Sequence, residues 1–306
     1  MTIASEITDL QTNLTNAKTA VTSKGGTVGD TGFAGLASEI DTIPSGGTLD
    51  NYGSITYLDT NDEEQTLTLI DENYYMELTL ITGGGANLQF GDLTLNINKI
   101  IEVTIADGVQ YIPDNFMNNC ANLVTVNLPS SIKYIGDLVF NRCNVTSTIN
   151  LENVIYIGEY FLYRSINFNQ PINLPKIDCI GNYFLASCSN FNSTLTLPAS
   201  MYKIGNYFLS GCTAFAQTLT LPTLQTISGI ANPGTYFMQN CNHFTGPLVC
   251  NCPNGTSSDT YTLSTTDSTA LMYTTGVTLT GTYASDWKTA FPDRAGSPYR
   301  KLIVGS

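Results

Sequence analysis

The sequence of 306 residues has few charged side chains and almost no histidine. Charged residues make up 12% of the chain, against about 25% in an average soluble domain, and there is a single histidine. One histidine and scattered carboxylates leave little material for acid–base, nucleophilic or metal-dependent catalysis. We therefore predict that the chain is not an enzyme and that it needs no cofactor or metal.

Basic residues and long apolar runs are also scarce. The chain has 12 Lys and Arg residues against 25 Asp and Glu residues, which gives a net charge of −13. Nucleic-acid binding needs a Lys- and Arg-rich surface, so we expect no nucleic-acid partner. No segment reaches the roughly 18 consecutive apolar residues of a membrane-spanning helix, and Met1–Glu6 lacks the start of a secretory signal. We therefore expect neither membrane insertion nor a signal peptide.

Residues 1–47 predict a helical anchor and oligomerisation module. Their apolar residues recur at alternating steps of 4 and 3, which is the spacing of a heptad seam. The seam consists of Ile3, Ile7, Leu10, Leu14, Ala17 and Val21. A helix this short is marginal alone, so it packs either on its own domain or, as we predict, against copies of itself. Isoleucine at several seam positions favours a trimer, although Ala17 weakens that inference.

Residues 48–99 alternate apolar and polar side chains, which predicts a small β-rich segment. Asp59–Glu64 is an acidic run between two of the predicted strands. A calcium loop would need the spacing of an EF-hand, with its glycine and terminal glutamate, and this run lacks both. We therefore interpret the run as the solvated tip of a hairpin.

Internal repetition is the strongest pattern in the chain. Three blocks read Ile-Gly-x-Tyr-Phe-Leu, namely Ile157–Leu162, Ile180–Leu185 and Ile204–Leu209. Weaker copies begin at Ile112 and Ile135, and a last copy ends with Gly234–Met238. A Cys, or once a Ser, follows each copy at steps of 22 to 24 residues and finally of 29. These residues are Cys120, Cys143, Ser165, Cys188, Cys212 and Cys241. A unit of this size cannot bury its apolar face alone, so neighbouring units must stack.

Two rows of polar residues are predicted to face outward from the stacked units. Each unit has a strand such as Leu195–Leu197, in which alternation points the middle residue outward. The strand row consists of Asn127, Asn150, Asn173, Thr196 and Thr220. The second row consists of Tyr160, Tyr183, Tyr207 and Tyr236. Both rows suit a sugar or a protein partner, because they offer hydrogen bonds at low charge. Alternatively, the strand row serves only solubility, and the Tyr rings pack between adjacent units.

These units resemble the BspA-type leucine-rich repeat, whose pattern is roughly L-x-L-P…I-G-x-x-a-F-x-x-C. The resemblance covers residues 100–250, with Leu162, Leu185 and Leu209 often replacing the aromatic residue that precedes the Cys by three. It implies a right-handed solenoid and a binding rather than a catalytic role. We therefore predict a mainly β fold with short helices: the coiled-coil anchor, the small β segment, a solenoid over residues 100–252 and a C-terminal cap over residues 253–306.

The repeat cysteines are interpreted as small buried thiols that fill one position of each unit. A zinc site from Cys179, Cys250 and Cys252 is the alternative, but four convergent ligands are not evident. In the cap, Val277–Leu279 predicts a strand and the segment from Tyr283 a short helix. Trp287, the one Trp of the chain, is predicted to seal the open end of the solenoid.

Residues 1–47 also resemble the attachment modules of tailed-bacteriophage virion fibre proteins. The similar residues are an Ile-x-x-Leu-x-x-x-Leu run that ends in Ala20–Gly26, followed by Gly35–Ile40 and Ile43–Pro44. Joined to a solenoid, this module implies a small trimeric tail, baseplate or head fibre, assembled in the host cytoplasm and extracellular on the mature particle. Its partners would be its own copies, other virion proteins bound through residues 1–47, and a host cell-surface glycan or protein. The alternatives are a bacterial cell-surface adhesin and a capsid or tail decoration protein that binds no receptor.

Overall fold

The structure is a computed structural model that describes residues 51–70, 79–81, 85–90, 93–201, 203–224, 236–251, 271, 273–295 and 300–305. In these residues the chain is mainly β and forms a solenoid of about 7 coils with almost no helix. The mainly β prediction is therefore confirmed. The helical anchor and heptad seam predicted in residues 1–47 lie outside the described residues. Within the described part, no helix has the length and apolar character needed to cross a membrane.

Strands that precede the repeats form two small sheets. They are β1 (Gly53–Leu58), β2 (Glu64–Leu69), β3 (Thr79–Ile81), β4 (Gly85–Phe90) and β5 (Leu93–Asn96), followed by a 3₁₀ turn over Ile97–Lys99 and by β6 (Ile100–Ile105). β3, β4 and β5 pair antiparallel in that order. β1 pairs antiparallel with both β2 and β6. The hairpin predicted around Asp59–Glu64 is confirmed, since the Asp59 carboxylate accepts the Asn61 amide at its tip (2.8 Å).

The coils themselves contain strands of only two or three residues. They are β7 (Tyr111–Ile112), β8 (Thr125–Asn127), β9 (Tyr134–Ile135), β10 (Tyr156–Ile157), β11 (Ile172–Asn173), β12 (Cys179–Ile180), β13 (Leu195–Thr196), β14 (Ser200–Met201), β15 (Lys203–Ile204), β16 (Leu219–Thr220), β17 (Thr223–Leu224) and β18 (Leu248–Val249). β7, β9, β10, β12 and β15 form a parallel five-stranded sheet along the solenoid. β8 pairs parallel with β6, so the N-terminal sheet is continuous with the first coil.

The C-terminal segment continues the solenoid before it closes it. A separate four-stranded parallel sheet has the order β16-β18-β19-β20, where β19 is Thr274–Thr280 and β20 is Arg300–Val304. Helix α1 (Ala284–Ala290) lies between β19 and β20 in sequence. The strand and helix predicted here are confirmed. Trp287 is fully buried, with its ring centroid 6.0 Å from that of Phe237 in the last repeat and 5.9 Å from that of Phe291. This contact covers the end of the apolar interior, as predicted.

A turn with alternating backbone handedness follows each Ile-Gly dipeptide. In the third coil, Tyr160, Leu162 and Arg164 have φ angles of 60°, 54° and 57°. The Tyr160 amide donates to Asn182 O in the next coil (2.8 Å), and the Leu162 amide donates to Val139 O in the preceding one (3.2 Å). A left-handed backbone costs a non-glycine residue roughly 1–2 kcal/mol. Hydrogen bonds to both neighbouring coils therefore hold the turn in a conformation that it would not adopt alone.

The same turn recurs beyond the repeats that the sequence motif reveals. Leu271 and Tyr273 have φ angles of 55° and 60°, and the Leu271 amide donates to Phe237 O at 2.9 Å. Thr274 is fully buried three residues after Leu271, where the earlier coils have Cys or Ser, and its hydroxyl donates to Leu271 O. The segment predicted as a cap thus begins with a further coil that lacks the Ile-Gly motif.

Close approach of adjacent coils requires the glycine of the Ile-Gly dipeptide. A Cβ atom on Gly181 would lie 2.5 Å from the carbonyl carbon of Gly158, and one on Gly205 would lie 2.4 Å from that of Gly181. These contacts are with backbone atoms, which cannot rotate away as a side chain can. The glycines therefore set how closely the coils stack.

Two columns of Phe rings fill the interior, and each ring is fully buried. One column consists of Phe161, Phe184, Phe208 and Phe237, and the other of Phe168, Phe191, Phe215 and Phe244. Neighbouring ring centroids in the columns are 5.5 to 6.0 Å apart, within the range of favourable aromatic pairs. The rings of successive coils therefore have similar orientations, because each coil places its Phe directly on that of the preceding coil.

We expect Gly181→Ala to lower the free energy of unfolding by about 3 kcal/mol, because its methyl group would force two coils apart. Gly276→Ala is the matched control, since Gly276 has a φ of +75° but its nearest neighbour to a new Cβ is Ile303 Cδ1 at 3.8 Å. This control should cost about 1 kcal/mol, from the left-handed backbone alone. Urea unfolding followed by circular dichroism measures both losses, and equal losses would contradict the close-approach explanation.

Candidate recognition surface

All five residues predicted to face outward from the strands are exposed. They are Asn127, Asn150, Asn173, Thr196 and Thr220, and we call them the polar row. Each follows a buried residue, as the two-residue period requires. Four of them lie in the strands β8, β11, β13 and β16, whereas the strand predicted around Asn150 does not form. β11 and β13 pair in register, so that Asn173 lies beside Thr196. The polar row is therefore an uncharged strip of amide and hydroxyl groups along one side of the solenoid.

Many other asparagine side chains are already bonded to a neighbouring coil. Asn167 Nδ2 donates to Asn144 Oδ1 at 2.7 Å, and Asn190 Nδ2 donates to Asn167 Oδ1 at 3.1 Å. Asn192 accepts the amide of Ala216 in the next coil at 2.9 Å. These side chains hold coils together, so their hydrogen-bonding capacity is partly used within the fold.

The polar row differs from these columns in its middle and C-terminal part. Asn127 Nδ2 donates to Glu102 Oε1 at 2.8 Å, at the N-terminal end of the row. Among the described residues, no hydrogen bond engages the side chains of Asn173, Thr196 and Thr220. Three adjacent coils thus present polar groups whose hydrogen bonds remain available to a ligand.

The predicted Tyr row is a continuous stack of rings. Tyr160, Tyr183, Tyr207 and Tyr236 are each half-exposed, and their successive centroids lie 4.4, 4.2 and 4.3 Å apart with nearly parallel planes. The rings therefore pack between coils, as one interpretation predicted, while their edges reach the surface. Reduced solvation within the stack, followed by the neighbouring Tyr183, raises the pKa of Tyr160. That the row binds a ligand stays a prediction.

A column that the sequence analysis missed lies directly after the Ile-Gly dipeptides. Asp114 Oδ1 accepts the amide of Asp137 at 2.7 Å, and Asp137 Oδ1 accepts the amide of Glu159 at 2.6 Å. Asn182 Oδ1 accepts the amide of Asn206 at 2.7 Å in the same way. The signal available in the sequence was a side-chain oxygen at this one position in every copy. The oxygens of the first four copies each accept a hydrogen bond from the next coil, so the column is structural.

Asp137 sits between two other carboxylates of this column. Burial raises the pKa of Asp137, the amide of Glu159 opposes this, and the negative charges of Asp114 and Glu159 raise it further. The charged form is therefore disfavoured in the folded chain. Later coils have Asn at the equivalent position and avoid this repulsion.

The repeat cysteines are buried, as predicted, and those from the second repeat onward contact a carbonyl of the preceding coil. Cys188 Sγ lies 3.0 Å from Leu162 O, the carbonyl of a left-handed residue in the preceding coil, and Cys212 Sγ lies 3.0 Å from Leu185 O. Burial raises the pKa of Cys241 to about 12. The thiols therefore stay protonated and act as hydrogen-bond donors to the preceding turn.

Ser165 replaces the cysteine in the third coil and makes the same contact with a hydroxyl group. Its Oγ donates to Phe140 O at 2.9 Å and accepts the amide of Cys143 at 3.2 Å. The position thus selects a small buried donor rather than a thiol as such. In the described part of the chain, no three His, Cys, Asp or Glu residues could hold a metal ion. Cys252, which the alternative zinc site would need, lies outside the described residues.

The chain matches the family model described as the BspA type leucine rich repeat region, in 6 copies over residues 91–216 and 179–254. A leucine rich cell surface protein from Faecalibacterium prausnitzii A2-165 is 17% identical, with a TM-score of 0.41 over 66% of this chain and 55% of that one. A leucine-rich repeat protein from Bacteroides ovatus ATCC 8483 is 15% identical, with a TM-score of 0.27 over 68% and 77%. The chain thus spans about half the length of the first structure. No curated protein is significantly similar to it.

We expect Asp137→Asn to raise the midpoint of thermal unfolding at neutral pH. Because folding raises the pKa of Asp137, its neutral form stabilises the fold relative to its charged form. Its contribution to the free energy of unfolding is fully present below the unfolded pKa of 3.8 and is lost as pH rises through the folded pKa. The gain from the substitution should therefore disappear at about pH 3, where the carboxyl is neutral in both states. Glu152→Gln, which removes one charge from an exposed position, is the control, and an equal gain there would refute the role of the column.

Ser165→Ala should lower the free energy of unfolding by about 2 kcal/mol, because it leaves the Phe140 carbonyl and the Cys143 amide without this partner. Ser165→Cys restores the residue of the other coils and should cost clearly less. Chemical denaturation of the two variants compares them at the same site. A larger loss for the Cys variant would show that size, rather than hydrogen bonding, governs this position.

Proposed function

Because the chain belongs to the BspA-type leucine-rich repeat family, we propose that it is a surface-binding protein whose solenoid adheres to molecules displayed on cells. The observation that carries this proposal is the polar row. It is exposed, uncharged and repeated at the spacing of the coils, and its side chains at Asn173, Thr196 and Thr220 are not used within the described fold. A repeated surface of this kind suits a partner that is itself extended or repetitive.

The proposed partner is a glycan or a protein on a cell surface. Amide and hydroxyl groups can both donate and accept hydrogen bonds, which suits a ligand rich in hydroxyl or peptide groups. Individual neutral hydrogen bonds contribute only about 0.5–1.5 kcal/mol, so useful affinity requires several coils to engage at once. The parallel stacking of the strands provides this, because it repeats the same group along the axis.

A binding role without catalysis agrees with the chemistry of the described residues. The interior consists of apolar columns and protonated thiols, and His243 Nδ1 lies 2.7 Å from the Thr213 carbonyl of the preceding coil. That the protein does not catalyse a reaction is part of the proposal. This part rests on the residue types of the repeats.

We propose that the solenoid is displayed on a cell surface, so that the chain acts as an adhesin at an extracellular location. This assignment follows the family, whose members include surface adhesins. The virion-fibre hypothesis depends on residues 1–47, which lie outside both the family match and the described residues. Attachment through those residues and trimer formation stay predictions from the sequence. A trimer would raise the avidity of weak contacts whether the chain is displayed on a cell or on a virion.

The proposal is tested with the full chain, fluorescently labelled and applied to intact bacterial and animal cells. Replacing Asn173 and Thr196 with Ala should weaken saturable binding about thirtyfold, since two neutral hydrogen bonds of about 1 kcal/mol each are lost. The control is Lys133→Gln with Lys203→Gln, which changes two residues outside the polar row. Lys133 precedes β9 and Lys203 lies in β15 of the five-stranded sheet, and binding should be unchanged. Full-strength binding by the Ala variant would overturn the role of the polar row, and no binding by the parent chain would overturn adhesion.

A further inference from the structure

Two arginines occupy the same position in consecutive coils. Arg142 and Arg164 are each the last left-handed residue of their turn, with φ angles of 53° and 57°. Each donates its amide to the next coil, Arg142 to Tyr163 O at 2.8 Å and Arg164 to Ala186 O at 2.9 Å. Their backbones are therefore held in equivalent places, one coil apart.

Arginine is not the residue that this backbone favours. The equivalent positions of the other coils are Asn119, Ser187, Gly211 and Asn240, with Tyr273 in the coil that lacks the motif. Glycine and asparagine adopt the left-handed region most readily, whereas a long side chain is disfavoured there. The two arginines therefore occupy a left-handed position that the backbone of a long side chain does not favour. This points to a role for their side chains.

Both guanidinium groups are exposed and carry no counter-charge within the described fold. The salt bridges among the described residues join Lys99 to Asp62 and Lys288 to Asp293, and neither involves Arg142 or Arg164. Neighbouring parallel strands lie about 4.8 Å apart, so two positive side chains at one position of adjacent coils repel each other. An anion placed between them would relieve this repulsion.

Aromatic surface lies next to the pair. The Arg164 guanidinium lies over the Tyr163 ring, 5.2 Å from its centroid. The Tyr163 ring packs edge-on against Tyr160 and Tyr183 of the Tyr row, with centroids 5.4 and 5.6 Å away. The contact holds Arg164 in place and connects the arginine pair to the Tyr row.

We propose that Arg142 and Arg164, with Tyr163 beside them, bind successive anionic groups of an acidic polysaccharide. A guanidinium presents a planar pair of N–H donors that matches carboxylate or sulfate, and a half-exposed ring offers an apolar surface to a sugar. Identical groups one coil apart suit a polymer that repeats its charge along the solenoid axis. Ile166 is the one large exposed apolar side chain near the pair in sequence, which is too little for the apolar centre of a protein interface.

This inference rests on the proposed function and adds the charge class of the partner. The test uses the full chain on immobilised polygalacturonate (carboxylate), heparin (sulfate) and neutral dextran, at low and at high NaCl. We expect retention on at least one acidic polymer, none on dextran, and loss of retention at high salt because exposed charges are screened.

The decisive variant is Arg142→Asn with Arg164→Asn, which inserts the residue that two other coils already have at this position. It should fold with an unfolding midpoint no lower than that of the parent chain. It should also bind the acidic polymer about tenfold more weakly or worse, since hydrogen bonds to charged groups are the stronger ones. Lys133→Gln with Lys203→Gln removes the same positive charge elsewhere and should retain binding, which separates a local site from net charge.

Several results would overturn the inference. They are retention on dextran equal to that on the acidic polymers, no retention on either acidic polymer, and unchanged retention of the Asn variant. Cell binding that protease treatment of the cells abolishes, but removal of acidic glycans does not, would assign a protein partner instead. If the Asn variant still adheres to cells while Asn173→Ala with Thr196→Ala does not, the proposed function stands and this inference fails.

Discussion

The stacking distance between adjacent coils is the constraint on which the rest of the structure depends. It is set where the backbone of one Ile-Gly dipeptide rests on the next, with no room for a Cβ atom on Gly181 or Gly205. At this distance, amides of one coil reach the carbonyls of both neighbours. These bonds in turn hold bulky residues such as Leu162 at a positive φ. Close backbone contact and left-handed turns are thus two consequences of the same requirement.

Side chains follow the same constraint, because each residue meets its own counterpart one coil away. Columns of identical residues favour groups that bind themselves well, such as stacked Phe and Tyr rings and Asn amides that both donate and accept. Like charges repel in such a column: burial raises the pKa of Asp137 most, and the charges of Asp114 and Glu159 raise it further. The low charge content of the chain is therefore explained by its repetition, and it is not evidence about a partner in itself.

The surface of most functional interest is where polar or charged side chains are not used to join coils. Most columns use their polar groups to join coils, whereas Asn173, Thr196 and Thr220 leave theirs available. Arg142 and Arg164 go further, since they set two like charges at one position of a turn that asparagine would adopt more easily. Both features lie on coils that backbone hydrogen bonds join to their neighbours, so a ligand would meet residues whose backbone is already held in place.

The sequence by itself determined the repeat, the buried thiols, the outward polar row and the closing Trp287, because each depends on local period or on recurrence at a fixed step. It could not reveal the left-handed turns, the hydrogen bonds between coils in the column that begins with Asp114 and Asp137, or the coil at Leu271 that lacks the motif. These depend on contacts between residues more than twenty positions apart. Only stacking brings such residues together, and only the stacked structure separates an asparagine that joins two coils from one that faces solvent unengaged.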